Sequence, residues 1–529
     1  MTDSSHPPMP DSYGALPDPD AQPGYRPMPD DPDAPETPLG PAHPPRPRTP
    51  ELPTGPVTVT GLGAAGRSAA RFLARSGVEV VAVDARERSQ EQEVADELRA
   101  LGADVRLGAA ATERLPAGTS LVVTSPGWRP DQPLLAEAAA AEVPVWGDVE
   151  LAWRARPTDA PWLGVTGTNG KTTTVQMLDS ILRAAGYRAV ACGNIGLPVL
   201  DAVLADEPFD VLAVEVSSFQ LHWTRTVEFR AAAILNIAPD HIDWHGSFQA
   251  YAADKAKIWR GAAYVLFNGD DPLVAGLASG HLDTQDFTLG PLGRHVFGVQ
   301  DGLLVDRLGI GPGDRRNELV GPDGQRTATA VLASVDDVRP PAPHNIANAL
   351  AAAGLARQLG LDSGSYPVRI DAVAEGLRRF SPGGHRISHV ATVEGVDYVD
   401  DSKATNPHAA AASLRAFERV VWVAGGLAKG ATYEEVVSGA ADRLRGAVLM
   451  GQDRALVAEA LARHAPEVPV VEVDRTDTGA MDDVVRAAAG LARPGDTVLL
   501  APASASMDMF RDYAARGDAF AEAVRRLAT

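Results

Sequence analysis

Short β-branched runs alternate along this chain with Ala-, Leu- and Arg-rich stretches. That pattern constrains it to parallel α/β units, each run a strand and each intervening stretch a helix. Val57-Thr-Val-Thr60 leads into Gly61-Leu-Gly-Ala-Ala-Gly66 and a predicted helix from Arg67 to Ser76. A second strand, Val78 to Val83, ends at Asp84, and Leu121-Val-Val-Thr124 ends at Ser125-Pro-Gly127. These elements predict a Rossmann-like domain over 56–157. A second unit, 158–383, opens at Trp162-Leu-Gly-Val-Thr166, with strands at Val211–Glu215, Ala232–Asn236 and Tyr264–Phe267. Within it, 290–340 reads as a small β excursion and His344 to Gln358 as a helix. A third unit, 384–529, has strands at Val396–Val399, Val420–Val423, Ala447–Met450, Val468–Glu472 and Thr497–Leu500. The expected fold is therefore α/β in three domains. Residues 1–55 are Pro-rich and lack aliphatic clusters, which predicts a disordered extension leaning to polyproline II.

The formal net charge of −21 argues against a general nucleic-acid binder, which carries a basic patch or stripe. The single cysteine, Cys192, excludes an intramolecular disulfide and fits a reducing compartment. No apolar run approaches the ~20 residues of a membrane span. A soluble, cytoplasmic monomer without membrane insertion is expected.

The lysines are few enough to be informative. Lys171, Lys255, Lys257, Lys403 and Lys429 are the only five among 48 basic residues. A chain that writes its cations as Arg keeps Lys mainly where a compact, flexible amine does something a planar guanidinium cannot. Lys171 closes the loop Gly164-Val-Thr-Gly-Thr-Asn-Gly-Lys-Thr-Thr-Thr174, of form G-x-x-G-x-x-G-K-T. Backbone N–H groups and the following helix dipole cradle phosphates there, Lys171 bridges terminal phosphates, and Thr172 reaches Mg²⁺. Lys257 is expected to be an ordinary surface lysine.

Other motifs also sit just after strands, where open α/β sheets bind ligands. Gly61 to Gly66 matches G-x-G-x-x-G with Asp84 about 20 residues on, which suits NAD or a UDP-linked ligand. Glu215 at a strand tip suits Mg²⁺. The loop carrying Asp240, His241, Asp243 and His245 suggests metal or phosphate contacts, without a zinc signature. His241 is the functional choice and His245 is expected to be exposed. Lys255, read alone, is a snorkelling lysine on a helix. Asn345 and Asn348 share a helix face and suit either an adenine edge or a cap.

Together these residues resemble the Mur ligases, ATP-dependent amide ligases of the peptidoglycan stem peptide, whose central loop reads G-T-N-G-K-[ST], here Gly167 to Thr172. Glu215-Val-Ser-Ser-Phe-Gln-Leu221, Asp401-Ser-Lys-Ala-Thr-Asn406 and Ser504 to Tyr513 with Arg516-Gly517 resemble the branch that adds D-glutamate to UDP-N-acetylmuramoyl-L-alanine. The resemblance covers 56–529 and implies a UDP-binding domain, a central ATP-binding domain and an amino-acid-binding domain. It implies that Gly61, Gly63, Gly66, Asp84, Arg86, Ser125, Gly127 and Asn194 hold the UDP-substrate. Ala65 and Ala85 stand where the family often has hydroxyl residues. Gly167, Thr168, Asn169, Gly170, Lys171, Thr172, Thr173, Asn345, Asn348, Arg386 and Asp401 would hold ATP. Thr172, Glu215, His241 and Lys255 would organise Mg²⁺, with Lys255 carbamylated to N6-carboxylysine. Lys403, Thr405, Lys429, Ser506 and Tyr513 would grip D-glutamate. Lys171, Glu215, His241 and Lys255 would be catalytic.

The implied reaction is phosphorylation of the L-alanyl carboxylate by ATP, then attack of the D-glutamate amine on the acyl phosphate. Three rivals stand beside it. One is a ligase for another amino acid, including a folylpolyglutamate synthetase-like enzyme. The others are an NAD-linked dehydrogenase and a nucleotide-gated scaffold.

Overall fold

The computed structural model describes residues 44–308, 317–320, 326–360, 368–381 and 383–528. They fall into two compact units, 44–338 with 345–380, and 339–344 with 381–528.

The first unit contains two sheets. Strands β1 (Val57–Thr60), β2 (Val80–Asp84), β3 (Asp104–Leu107), β4 (Leu121–Thr124) and β5 (Val145–Gly147) form a parallel sheet in the order β3-β2-β1-β4-β5. Chain order reverses beside β1, so the turn Gly61–Gly66 opens at the switch point. The second sheet runs through β6 (Trp162–Thr166), β7 (Ala189–Gly193), β8 (Val211–Glu215), β9 (Ala231–Ile234), β10 (Tyr264–Asn268) and β11 (Thr284–Phe287). It continues through β12 (Phe297–Gln300), β13 (Leu303–Asp306), β14 (Asn317–Val320) and β15 (Arg326–Ser334), in the order β14-β15-β13-β12-β11-β10-β9-β6-β8-β7. Strand β6 lies between β8 and β9, so its phosphate-type loop also opens at a reversal of order. The β excursion is the antiparallel run β12 to β15.

The second unit has one sheet of β16 (Ser388–Val393), β17 (Val396–Asp400), β18 (Val420–Gly425), β19 (Leu444–Met450), β20 (Val470–Glu472) and β21 (Thr497–Leu500). The order is β16-β17-β21-β18-β19-β20, parallel except for β16. The cores are aliphatic: β1, β4, β6, β8, β9 and β18 are buried along their whole lengths. No described helix is long and apolar enough to cross a membrane.

Several boundaries differ from the expectation. The first helix is Ala64–Arg75, three residues earlier than predicted, because extended Gly63 caps it and Ala64 to Gly66 form its first turn. The second strand starts at Val80 because the Val78 N–H still bonds Leu73 O in the helix exit. Residues 1–43 of the predicted tail lie outside the described residues. The part from 44 to 55 is held, which corrects that portion of the disorder prediction. Pro47 bridges Thr158, Arg48 N–H donates to Pro157 O at 2.7 Å, and Glu51 pairs with Arg154 at 3.1 Å.

Two fingerprint glycines separate packing from ligand approach. A Cβ on Gly66 would come within 1.7 Å of Gly61 O, whereas one on Gly63 would meet nothing within 4 Å. Gly66→Ala is expected to destabilise the protein by about 3 kcal/mol, read as a lowered urea midpoint. Gly63→Ala should unfold at the wild-type midpoint, since its φ of −66° suits alanine.

Candidate functional site

The central loop is held before any ligand arrives. Gly170 adopts φ 83° and turns the chain into helix Lys171–Ala184. A Cβ at Gly170 would lie 2.4 Å from Asn348 Oδ1, so glycine lets Asn348 approach the loop. Asn236 braces the loop from the end of β9. Its carbonyl accepts from Thr168 N–H at 2.9 Å, its Oδ1 accepts from Asn169 N–H at 2.8 Å, and its Nδ2 donates to Asn169 O at 3.1 Å. Thr168 Oγ1 also meets Tyr251 OH at 2.9 Å. Lys171 Nζ donates to Gly167 O at 2.8 Å and Thr168 O at 2.9 Å. Thr172 and Thr173 follow in the first helical turn. A glycine loop at a helix N-terminus with a lysine across its mouth is a phosphate cradle.

Lys255 shares a carbonyl with Lys171. Its Nζ donates to Gly167 O at 2.8 Å and Thr166 Oγ1 at 3.4 Å, and the side chain is 2% exposed. Snorkelling is therefore excluded. Burial first, and the Lys171 charge second, push this amine well below the ordinary lysine range. Glu215, also 2% exposed, accepts from Asn194 Nδ2 at 2.8 Å through Oε1. Its Oε2 is buried without a hydrogen-bond partner among the described residues. An orphaned carboxylate oxygen is costly unless a cation or donor completes it. This donor chemistry fits Mg²⁺. His241, at φ 52°, is exposed, with its ring 4.7 Å from that of Phe219.

In the five-stranded sheet, Asp84 Oδ2 accepts from Leu62 N–H at 2.7 Å inside the fingerprint. Arg86 forks onto the same carboxylate at 3.1 and 3.0 Å. Burial raises the Asp84 carboxyl, but the Arg86 side chain and the two N–H donors outweigh it and hold it below its ordinary value. Ser125 Oγ donates to Gly61 O at 3.0 Å and ties β4 to the fingerprint turn. The space over Gly63 and Gly127 is open within 4 Å. Asn194 is brought to Glu215.

In the second unit, three loops follow β17, β18 and β21. They carry Lys403 and Thr405, then Lys429, then Ser506. Leu427 and Ala505 exchange backbone hydrogen bonds at 2.9 and 3.0 Å, joining the last two loops. A Cβ on Gly426 would strike Ala505 O at 2.2 Å, so that approach needs glycine. The first loop joins through Ala503 N–H to Ala404 O at 2.9 Å and through Arg516. Buried Arg516 donates to Ser402 Oγ at 2.9 Å, Ser402 O at 2.9 Å and Ser504 O at 3.0 Å. Gly517 admits the helix Tyr513–Leu527 that carries Arg516, because a Cβ there would lie 2.1 Å from His385 Nδ1. Lys403 Nζ sits 3.9 Å from the Tyr513 ring centroid, a cation–π contact. Asp401 is buried, bonded to Ser413 Oγ and to Ile387 N–H at 3.3 Å, and burial pushes its carboxyl up to about 6. The Arg386 charge opposes that rise.

Two further expectations are corrected. His245 is not exposed: its side chain is fully covered, with Nδ1 2.9 Å from Asp254 Oδ2 and Nε2 3.0 Å from Ser218 Oγ. Lys257 is not an ordinary surface lysine: Nζ pairs with Asp254 Oδ1 at 2.7 Å and donates to His222 O at 3.0 Å. The sequence reading missed Asn236, Tyr251 and Arg516 as braces. Asn236 was detectable as a polar residue at the tip of an apolar strand facing the loop.

A phosphate cradle, a buried acidic strand tip and a buried amine on one α/β sheet, with separate α/β sheets before and after it, describe a phosphate-binding α/β enzyme, and its domains are those of ATP-dependent ligases. The chain belongs to the Mur ligase family. The Mur ligase MurD-like N-terminal domain matches residues 55–147, the Mur ligase middle domain 165–288, and the Mur ligase glutamate ligase domain 385–504. Among curated relatives, the UDP-N-acetylmuramoylalanine–D-glutamate ligase of Streptomyces coelicolor is 57% identical over 482 residues, covering 89% of this chain and 98% of its own. Those so named in Thermobifida fusca and Nocardia farcinica are 56% and 47% identical, covering 89% of this chain and 98% and 96% of their own. The solved UDP-N-acetylmuramate–alanine ligase of Thermotoga maritima shares the fold, with a TM-score of 0.52 at 18% identity over 89% of this chain and 99% of its own.

Proposed function

We propose that this chain ligates D-glutamate to UDP-N-acetylmuramoyl-L-alanine at the expense of ATP, forming ADP and phosphate in peptidoglycan precursor synthesis, as a cytoplasmic monomer. Identity of 57% to a ligase named for that reaction, over nearly the whole of both chains, carries this reading. Domain boundaries at 157/158 and 383/384 go with it.

Mur ligases use ATP and Mg²⁺. Glu215, Thr172, His241 and a carbamylated Lys255 would hold the metal, which supplies positive charge beside the transferring phosphoryl group. Lys171 would add its own charge to the terminal phosphates and stabilise the transition state. The L-alanyl carboxylate oxygen attacks the γ-phosphorus and ADP leaves. The neutral amine of D-glutamate then attacks the acyl carbon, phosphate departs, and the amide nitrogen loses a proton. Lys255 as a carbamate is supported by its depressed basicity: an unprotonated amine can add to CO₂, and the resulting anion exchanges repulsion from Lys171 for attraction.

Gly61, Gly63, Gly66, Asp84, Arg86, Ser125 and Gly127 would cradle the UDP-substrate. Gly63→Ala should raise its KM about tenfold in a folded protein. Asn194 would touch the pyrophosphate and muramoyl region of the same substrate, while its Nδ2 holds Glu215 Oε1 at 2.8 Å. Asn345 and Asn348 in the first unit, and Arg386 and Asp401 in the second, would be ATP contacts, and Lys403, Thr405, Lys429, Ser506 and Tyr513 would form the D-glutamate site.

Arg516 follows as a positioning residue, since it spans the loops bearing Lys403 and Ser506. Arg516→Met strands three acceptors and should cost about 3 kcal/mol of stability. It should also raise the KM for D-glutamate at least tenfold with little change in that for ATP; equal effects on both would refute the assignment. The reading as a whole is tested by coupled ADP release. Turnover should require both UDP-N-acetylmuramoyl-L-alanine and D-glutamate, and equal turnover with L-lysine, meso-diaminopimelate or a folate would overturn it.

A further inference from the structure

Three residues on three successive short helices converge at Asp254, the chain neighbour of the proposed catalytic lysine. His222 ends helix Ser218–His222, His245 ends helix Ile242–His245, and Asp254 lies in helix Phe248–Ala256. Asp254 Oδ2 accepts from His222 Nδ1 at 2.8 Å and from His245 Nδ1 at 2.9 Å. The candidate ligand atoms all lie within 4.8 Å of one another. We propose that His222, His245 and Asp254 form a second metal site, distinct from the Mg²⁺ centre, for a divalent transition ion of the Zn²⁺ or Co²⁺ type.

The donor set decides the class of ion. Two imidazoles and one carboxylate suit Zn²⁺, Co²⁺ or Ni²⁺, whereas Mg²⁺ takes oxygen ligands and retains water. The supporting contacts have the form a transition-metal site needs. Ser218 Oγ lies 3.0 Å from His245 Nε2, ready to accept its proton when Nδ1 turns its lone pair to the ion. Lys257 Nζ holds Asp254 Oδ1 at 2.7 Å, leaving Oδ2 as a single ligand oxygen. Metal binding moves each imidazole proton from Nδ1 to Nε2, where Ser218 receives that of His245 and solvent that of His222. The His222 side chain is 30% exposed while those of His245 and Asp254 are 0% and 9%, so His222 forms the entry side and leaves room for a water ligand.

The position gives the site a consequence. The helix ending in His222 follows Glu215, the helix ending in His245 begins after His241, and Asp254 precedes Lys255. An ion here would staple the three segments that carry the proposed Mg²⁺ ligands, as a structural brace outside the reaction.

The test is Co²⁺ titration of the metal-stripped full chain with Mg²⁺ in large excess, read by visible absorption. One equivalent should bind with the d–d spectrum of nitrogen ligation, and Zn²⁺ should displace it. His222→Ala removes a partly exposed ligand without opening a core cavity, and should weaken Co²⁺ about 100-fold. Ser218→Ala should weaken it about tenfold. Glu215→Gln should leave the Co²⁺ spectrum and affinity unchanged. Absence of a nitrogen-ligated spectrum in the wild-type protein would overturn the site and leave the cluster as an ion-pair network. So would wild-type affinity in His222→Ala, or loss of Co²⁺ uptake in Glu215→Gln.

Discussion

Lys255→Ala should lower the ligation rate about 10³-fold, while a short carboxylic acid added to the variant should restore part of it. The expectation rests on placement and chemistry together. Lys255 and Lys171 donate to one carbonyl, Gly167 O, each at 2.8 Å, and Lys255 is buried. Two ammonium ions there would repel in a site poor in water, and burial together with the Lys171 charge holds the Lys255 amine well below the ordinary lysine range. A neutral amine adds CO₂ and becomes a carboxylate-like metal ligand, a modification closed to arginine. Lys255→Arg should therefore be as inactive as the alanine variant and resist rescue. An active arginine variant would remove the carbamate from the account. Under ¹³C-labelled bicarbonate the wild-type protein should give a carbamate resonance that Lys255→Ala lacks.

Lys171→Met should cost about 10²–10³-fold in kcat with a smaller change in KM for the UDP-substrate. Lys171 is braced by two loop carbonyls, and that loop is pinned by Asn236, so the charge is set in place before the phosphoryl group moves. Methionine keeps the length of the side chain and removes the charge. Because Lys171 also depresses the basicity of Lys255, the losses from Lys171→Met and Lys255→Ala should not add in the double variant. Strict additivity would separate the two lysines.

What the sequence revealed followed the range of its signals. The Lys171 loop and Glu215 are written in contiguous residues, because a phosphate cradle and a strand tip are local constructions. The wide sheet was partly hidden. Strand β7 is Ala-Val-Ala-Cys-Gly, weak in β propensity, and becomes a strand because burial beside β8 supplies what propensity lacks. Strand β16 is an antiparallel edge and escapes a reading built on parallel repeats. The fates of His245 and Lys257 were illegible for another reason. Both are decided by Asp254, whose meeting with His222 exists only after three helices pack. Burial raises the Asp254 carboxyl, yet His222, His245 and Lys257 together hold it well below its ordinary value. Lysine scarcity pointed at Lys171, Lys255, Lys403 and Lys429, and the fifth lysine proves to be engaged as well.

The central claim, amide formation through an activated L-alanyl carboxylate, is tested most directly by oxygen transfer. UDP-N-acetylmuramoyl-L-alanine labelled with ¹⁸O in its carboxylate is incubated with ATP, Mg²⁺ and D-glutamate, and product and phosphate are weighed by mass spectrometry. The account predicts a product extended by one D-glutamyl residue that keeps one ¹⁸O in its new amide carbonyl, and one ¹⁸O in phosphate for each amide made. No D-glutamyl product, or an amide product accompanied by unlabelled phosphate, would contradict it.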